Sequence, residues 1–215
     1  MMKSLFFAFS ILILALAVSA QQPNPTPKAP TGKKPSASKP KATAPVADEK
    51  EEFEKARALT DLTEKIQAFE KFLLDFPNST EKNRALEIIS SSKAAIADQR
   101  LAAGDNEAGI QLFREAVDQS PLPMSENFFV RVVLQFPTNL FSRGQQAAAI
   151  EIAQRIEPKV YGSPKFMLGL ATFYLGIERP EEAKKLAGAA IALDASIAQA
   201  YQTLGLANRL NFSID

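Results

Sequence analysis

A spacing of 34 residues constrains this chain more than any other feature. Ala149 and Ala183 lie 34 apart, each shortly after a turn signal, in Gly144-Gln145-Gln146-Ala147-Ala148-Ala149 and Arg179-Pro180-Glu181-Glu182-Ala183. The same step carries Met167, Leu170 and Ala171 onto Tyr201, Leu204 and Gly205. From Asp48 onward, apolar residues recur three and four apart, and no stretch shows the alternation of a half-buried strand. A period of this length built from two helices and a turn leaves each unit with an apolar face that only its neighbour can cover. The expected fold is therefore all-α.

Local signals place the helices. Asp48, Glu49, Glu51 and Glu52 put negative charge at a helix start, where the macrodipole favours it. Ile66, Phe69, Phe72 and Leu73 form a stripe that stops at Phe76-Pro77, and Asn78-Ser79-Thr80-Glu81 reads as the next N-cap. Gly104-Asp105 breaks a helix, after which Ile110, Phe113 and Val117 continue the pattern to Pro121. Ser163-Pro164 is a cap followed by proline in the first turn, and Gly176 and Pro180 separate two further helices. Short turns between helices of this length make them antiparallel neighbours.

With these residues in place, the chain resembles the tetratricopeptide repeat family, in the form found in exported bacterial envelope proteins. The resemblance is carried by Leu170-Ala171, Tyr174, Glu182-Ala183 and Ala190-Ile191-Ala192-Leu193-Asp194. It continues through Ala200-Tyr201, Leu204-Gly205 and Ala207, and through Gly104-Asp105-Asn106-Glu107 with Phe113-Arg114-Glu115-Ala116 and Pro121. Phe69-Glu70-Lys71-Phe72-Leu73 with Asp75-Phe76-Pro77-Asn78-Ser79 is similar to divergent members. The resemblance spans nearly all of 55–215 and implies a helix–turn–helix solenoid of about four repeats, the last incomplete. These motif positions mostly make helix packing, so they speak for a fold and not for an activity.

Three departures stand out. Gly109 replaces the family's small second-helix alanine, a change expected to be tolerated. Pro137 falls within a first helix, in Phe136-Pro137-Thr138-Asn139-Leu140-Phe141, and is expected to kink or divide it. The last repeat stops at Asp215 where its second helix is due, so the chain either belongs to a longer protein or leaves an apolar face for a partner.

The N-terminus reads as an address. Met1-Met2-Lys3-Ser4 is a short basic start, Leu5 to Val18 is an uncharged apolar run, and Val18-Ser19-Ala20 precedes Gln21. This is the pattern of a secretory signal peptide over 1–20. The run is shorter than the roughly 20 residues of a membrane-spanning helix. Cleavage after Ala20 is expected over retention as a membrane anchor, giving a periplasmic or extracellular protein with no mature transmembrane helix. Residues 21–47 hold seven of the 14 prolines, five lysines and no acid. Proline removes donors and the lysines repel one another, so this segment is expected to be a disordered, extended linker. Its lysines suit contact with an anionic envelope surface. Residues 48–215 form the helical domain, with 19 basic against 24 acidic residues, so the overall net charge of +1 conceals a basic linker ahead of an acidic domain.

Chemistry is limited by what is missing. The chain has no His and no Cys, which excludes Ser-His-Asp and Cys-His catalysis, imidazole-bound metal and cysteine-ligated metal. There is no phosphate-loop or dinucleotide-binding glycine motif. No catalytic, metal or cofactor residues are expected, and nucleic acid is a poor partner for an exported chain whose basic segment lacks interleaved aromatics. The family implies binding on the first-helix surface. Carried over position by position, that surface comprises Arg131, Leu134 and Phe141, then Lys165, Leu168 and Thr172, then Gln199, Gln202 and Arg209. With Arg131, Lys165 and Arg209 recurring about once per repeat, the expected partner is a protein or peptide with an acidic or carboxylate-ended segment. The competing expectation is the N-terminal recruiting module of a longer enzyme.

Overall fold

The computed structural model describes residues 48–214; the signal-peptide and linker expectations lie outside them. The elements are α1 (Glu49–Ala58), α2 (Leu62–Asp75), α3 (Lys82–Ala102), α4 (Asn106–Gln119) and α5 (Glu126–Phe128). A π-helical turn (Phe129–Val133) follows, then α6 (Gln135–Ser142), α7 (Gln146–Val160), α8 (Pro164–Gly176), α9 (Pro180–Leu193) and α10 (Ala198–Ile214). Among the described residues all regular structure is helical, as the periodicity predicts, and no helix is long and apolar enough to cross a membrane.

Side-chain oxygens start five of these helices by satisfying orphan N–H groups. Asp48 accepts from the Lys50 N–H at 2.9 Å, Asp61 from Glu64 at 2.8 Å, Asp105 from Ala108 at 3.4 Å, and Ser163 from Phe166 at 3.4 Å. Asn78 does not play this role. α3 starts at Lys82 without a side-chain cap, and the Ser79 hydroxyl instead accepts from the Glu81 N–H and donates to Glu49. Helix ends repeat one device. At Gly104 (φ 84°) and Gly144 (φ 77°) the chain turns left-handed, and the next N–H reaches back five residues, from Asp105 to Arg100 and from Gln145 to Leu140, at 2.9 Å each. That bond satisfies a last-turn carbonyl. The end of α8 has the same bond, from Arg179 to Tyr174, with Glu178 in the left-handed position instead of glycine.

Proline acts differently at the two positions where it stands beyond a helix's first residue. Pro137 lacks an N–H, and its ring presses on the carbonyl four residues back, so a plain α-helix cannot run through it. The chain inserts a π turn just ahead, closed by the Leu134 N–H on Phe129 O at 3.0 Å, and the helix is divided into α5 and α6. Pro158 stands inside α7, which continues past Ile156 to Val160.

Packing follows chain order, with α2 on α3, α3 on α4, α6 on α7, α8 on α9 and α9 on α10. Further contacts join α4 to α7, α8 to the π turn and α8 to α10. Two apolar clusters result. In the first, Phe53 meets Phe69 and Phe72 edge-on at 5.1 and 5.4 Å between ring centres, and each such pair contributes about 0.5–1.5 kcal/mol beyond its area. The second runs from Ala94 to Ala207 and includes Phe113, Phe129, Phe136, Met167, Leu170 and Tyr174, all essentially fully buried. Helix α3 belongs to both, through Ala85 and Ile89 in one and Ala94, Ala97 and Leu101 in the other. Gly109 is more than tolerated. A Cβ there would lie 2.7 Å from Leu101 Cγ and 3.0 Å from the Ala97 carbonyl, so α3 and α4 approach closely because this residue has none.

Buried polar groups tie consecutive helices together. The Tyr174 hydroxyl donates to Glu157 at 2.8 Å, and Lys185 donates to the other Glu157 oxygen at 2.9 Å, joining α7, α8 and α9. Burial, and then the Glu157 bond, push the Tyr174 phenol above its ordinary range. Between α4 and α7, Arg114 grips Glu151 with two bonds of 2.8 and 2.6 Å, and Arg155 adds a third at 3.1 Å. Lys159 of α7 donates to the carbonyls of Asp118 and Ser120, where α4 ends.

Candidate ligand-binding surface

The nine residues expected to line one surface do not come together. Arg131 is exposed on the π turn, and Leu134 after it is half-buried beside Gly169 of α8. Phe141 is half-buried in a separate hollow with Ile177 and Arg179. Lys165 is exposed but ion-paired to Glu126. Leu168 is only 3% exposed and belongs to the core, a correction to its expected place in a groove. Helix α8 is buried on two faces, with Met167, Leu168, Leu170 and Ala171 all inside, so its solvent face is narrow. Thr172 is exposed, with its hydroxyl donating to Leu168 O at 2.9 Å. Gln199, Gln202 and Arg209 are exposed on α10.

The π turn explains part of this scatter. It adds a residue to one turn, which shifts the facing of everything after it by roughly 100° relative to an uninterrupted helix. A transfer of positions at fixed spacing across the π turn therefore fails for Leu134 and Phe141.

Arg131 instead belongs to a concavity that the spacing did not reveal. A cavity of about 540 Å³ lies between α1, α2, α3 and the α5–π segment, lined by Arg57, Lys65, Arg84, Glu87, Ser92 and Arg131 among others. Each wall has a local cause. The cap at Asp61 starts α2 and places Lys65 one turn in; Ser125 starts α5 by accepting from the Phe128 N–H at 3.2 Å. Glu87 of α3 accepts from the Ser125 N–H at 3.0 Å, which ties the loop before α5 to α3. Arg84 sits 5.2 Å from the centre of the Phe53 ring.

Charge in the cavity is one-sided. Four cations line it against one carboxylate, Glu87. Arg57 and Arg84 make exposed pairs within their own helices, to Glu54 at 3.1 Å and Glu81 at 3.3 Å. Lys65 and Arg131 have no carboxylate partner among the described residues. The Ser92 side chain, on a residue 5% exposed, has no hydrogen bond there either. Such an arrangement recognises anions. Arg57, Lys65 and Arg84 were not legible as a set, because they come from three helices with no common period.

The acid run at the start of the domain resolves into ordinary helix chemistry. Asp48 caps α1, Lys55 pairs with Glu51 and Glu52 at 2.7 and 3.0 Å, and Arg57 pairs with Glu54. No protein-family model matches this sequence, and no curated protein is significantly similar to it.

Proposed function

We propose that the chain is an exported, non-enzymatic scaffold of tetratricopeptide type that docks a protein partner in the cell envelope through an acidic or carboxylate-ended segment. The observation that carries this reading is the open series of helix pairs, α3 with α4, α5–α6 with α7, and α8 with α9, followed by α10. Successive pairs touch through α4 with α7 and through α7 and the π turn with α8, and α10 follows on α8 and α9, which is the pattern of a solenoid. The signal-like N-terminus and the basic linker support export and envelope contact. The absence of His and Cys supports binding over catalysis.

A fluorescent peptide ending in consecutive acidic residues tests the docking surface by anisotropy. Binding is expected at low salt, weakened about tenfold or more by Arg131→Glu, with Arg209→Glu weaker in effect because Lys165 between them is already paired. Unchanged binding in the Arg131 variant would refute docking at this surface. Export is tested by fractionating cells that express the full chain with a C-terminal tag; a purely cytoplasmic protein of uncleaved length would refute it.

Exposed apolar side chains on α10 favour a second reading. Tyr201 is 50% and Phe212 85% exposed, and at eleven residues apart they share one face of the helix. In that reading the chain is the recruiting module of a longer enzyme whose further residues cover this face. Reading the gene past codon 215 tests it, and an immediate stop would end it.

A further inference from the structure

The cavity between α1, α2, α3 and the α5–π segment is set apart from the rest of the surface by its charge. Its volume, about 540 Å³, is that of a small-molecule pocket. Its positive charge is confined. The next cation along the first-helix face, Lys165, is paired with Glu126, so an extended acidic chain gains little beyond the cavity itself. Within it, three guanidinium groups and one ammonium face a single carboxylate. Guanidinium presents a rigid fork of donors suited to oxyanions. One carboxylate offers two oxygens and one negative charge, whereas a phosphate monoester offers three strong acceptor oxygens and a charge near −2. The Ser92 hydroxyl adds one more polar group to the wall. Its residue is more than nine-tenths buried, it lines the cavity, and its oxygen has no hydrogen-bond partner among the described residues. That oxygen opens onto the cavity and is not sealed in the core, so an occupant can bond it.

We propose that this cavity binds a small phosphate-bearing molecule. Lys65 and Arg131, which have no carboxylate to release, neutralise the phosphate. Arg57 and Arg84 exchange weak, solvent-exposed pairings within their own helices for the ligand. Ser92 contributes its hydroxyl. Glu87, held by the Ser125 N–H, limits the charge the pocket accepts and disfavours a bare excess of anion. Because the walls come from both apolar clusters, an occupant also ties the α1–α2 hairpin to the segment around the π turn. Arg131 is shared with the proposed peptide-docking surface, whereas Arg57, Lys65, Arg84 and Ser92 belong to the cavity alone.

Isothermal titration of the full chain with inorganic pyrophosphate at low salt tests it. Saturable binding is expected, with citrate at least about fivefold weaker. Lys65→Ala and Arg131→Ala should each weaken pyrophosphate about tenfold or more, Ser92→Ala several-fold, and Lys165→Ala not at all. Backbone amide shifts from ¹⁵N-labelled protein give a readout independent of variant folding. Perturbation of Ser92 and Asn127 by pyrophosphate supports the site, and shifts confined to other regions overturn its location. No saturable binding, or citrate binding as tightly as pyrophosphate, overturns the phosphate assignment. An acidic hexapeptide that binds more tightly and displaces pyrophosphate completely overturns the small-molecule assignment.

Discussion

Helices α8 and α10 carry the same pattern 34 residues apart and meet opposite fates. Met167, Leu170 and Ala171 on α8 are fully buried, while their counterparts Tyr201, Leu204 and Gly205 on α10 are exposed, half-buried and exposed. The difference lies in the neighbours. α8 packs against α7, α9, α10 and the π turn, whereas α10 packs against α9 and α8. The residues that do bury on α10 are small, Ala200, Thr203 and Ala207. A repeat pattern thus encodes the capacity to pack, and the presence of a next element decides whether that capacity is used.

Core truncation should widen this contrast most. Leu170→Ala is expected to cost about 3 kcal/mol and Leu204→Ala about 1 kcal/mol or less, measured by urea denaturation of both variants. Equal losses would break the comparison. A smaller effect comes from the buried polar tie that α10 lacks in this form. Tyr174→Phe removes one of two donors to buried Glu157 and should cost about 1–2 kcal/mol, whereas Tyr201→Phe should cost almost nothing. Acid titration comes next. Arg114 first, then Arg155, hold the Glu151 carboxyl below its ordinary 4.5, down to about 2. A lowered carboxylate pKa stabilises the fold above the ordinary value, and that contribution is lost as pH falls from about 4.5 toward 2. The side chain is just over a third exposed, so solvent screening leaves roughly 1 kcal/mol. Glu151→Gln should be less stable at pH 7 by that amount and flatter across the acid range. Smallest is the glycine pair. Nothing lies within 4 Å of a Cβ added at Gly205, so Gly205→Ala should gain about 0.5–1 kcal/mol in thermal unfolding. Gly169→Ala, where the new Cβ would lie 2.9 Å from Leu134 Cδ1, should gain nothing.

Much of the fold was legible because its causes are local. The acidic helix start at Asp48, the cap at Ser163, the glycine ends at Gly104 and Gly144, and the break at Pro137 depend on residues within a turn or two of each other. Asn78 misled because α3 begins only at Lys82, and the turn before it is held by Ser79, bonded to Glu49 and to the Glu81 N–H. Gly109 was undervalued because its necessity comes from Leu101 across a helix pair. The candidate site was legible only at Arg131. Leu168 failed as a groove residue because α8 is buried on two faces, which depends on how many neighbours it has.

By itself, then, the sequence determined that residues 48–214 are helical, where most of their helices begin and end, and that His- and Cys-based chemistry is closed to the chain. Those outcomes follow from side-chain chemistry and short-range periodicity. Only the tertiary structure decided which equivalent positions are buried and which cations converge. Arg57, Lys65, Arg84 and Arg131 come from four separate elements, and no rule of spacing makes them neighbours. Their grouping depends on how α3 carries one apolar cluster against the next, and on the extra residue that the π turn inserts before Pro137.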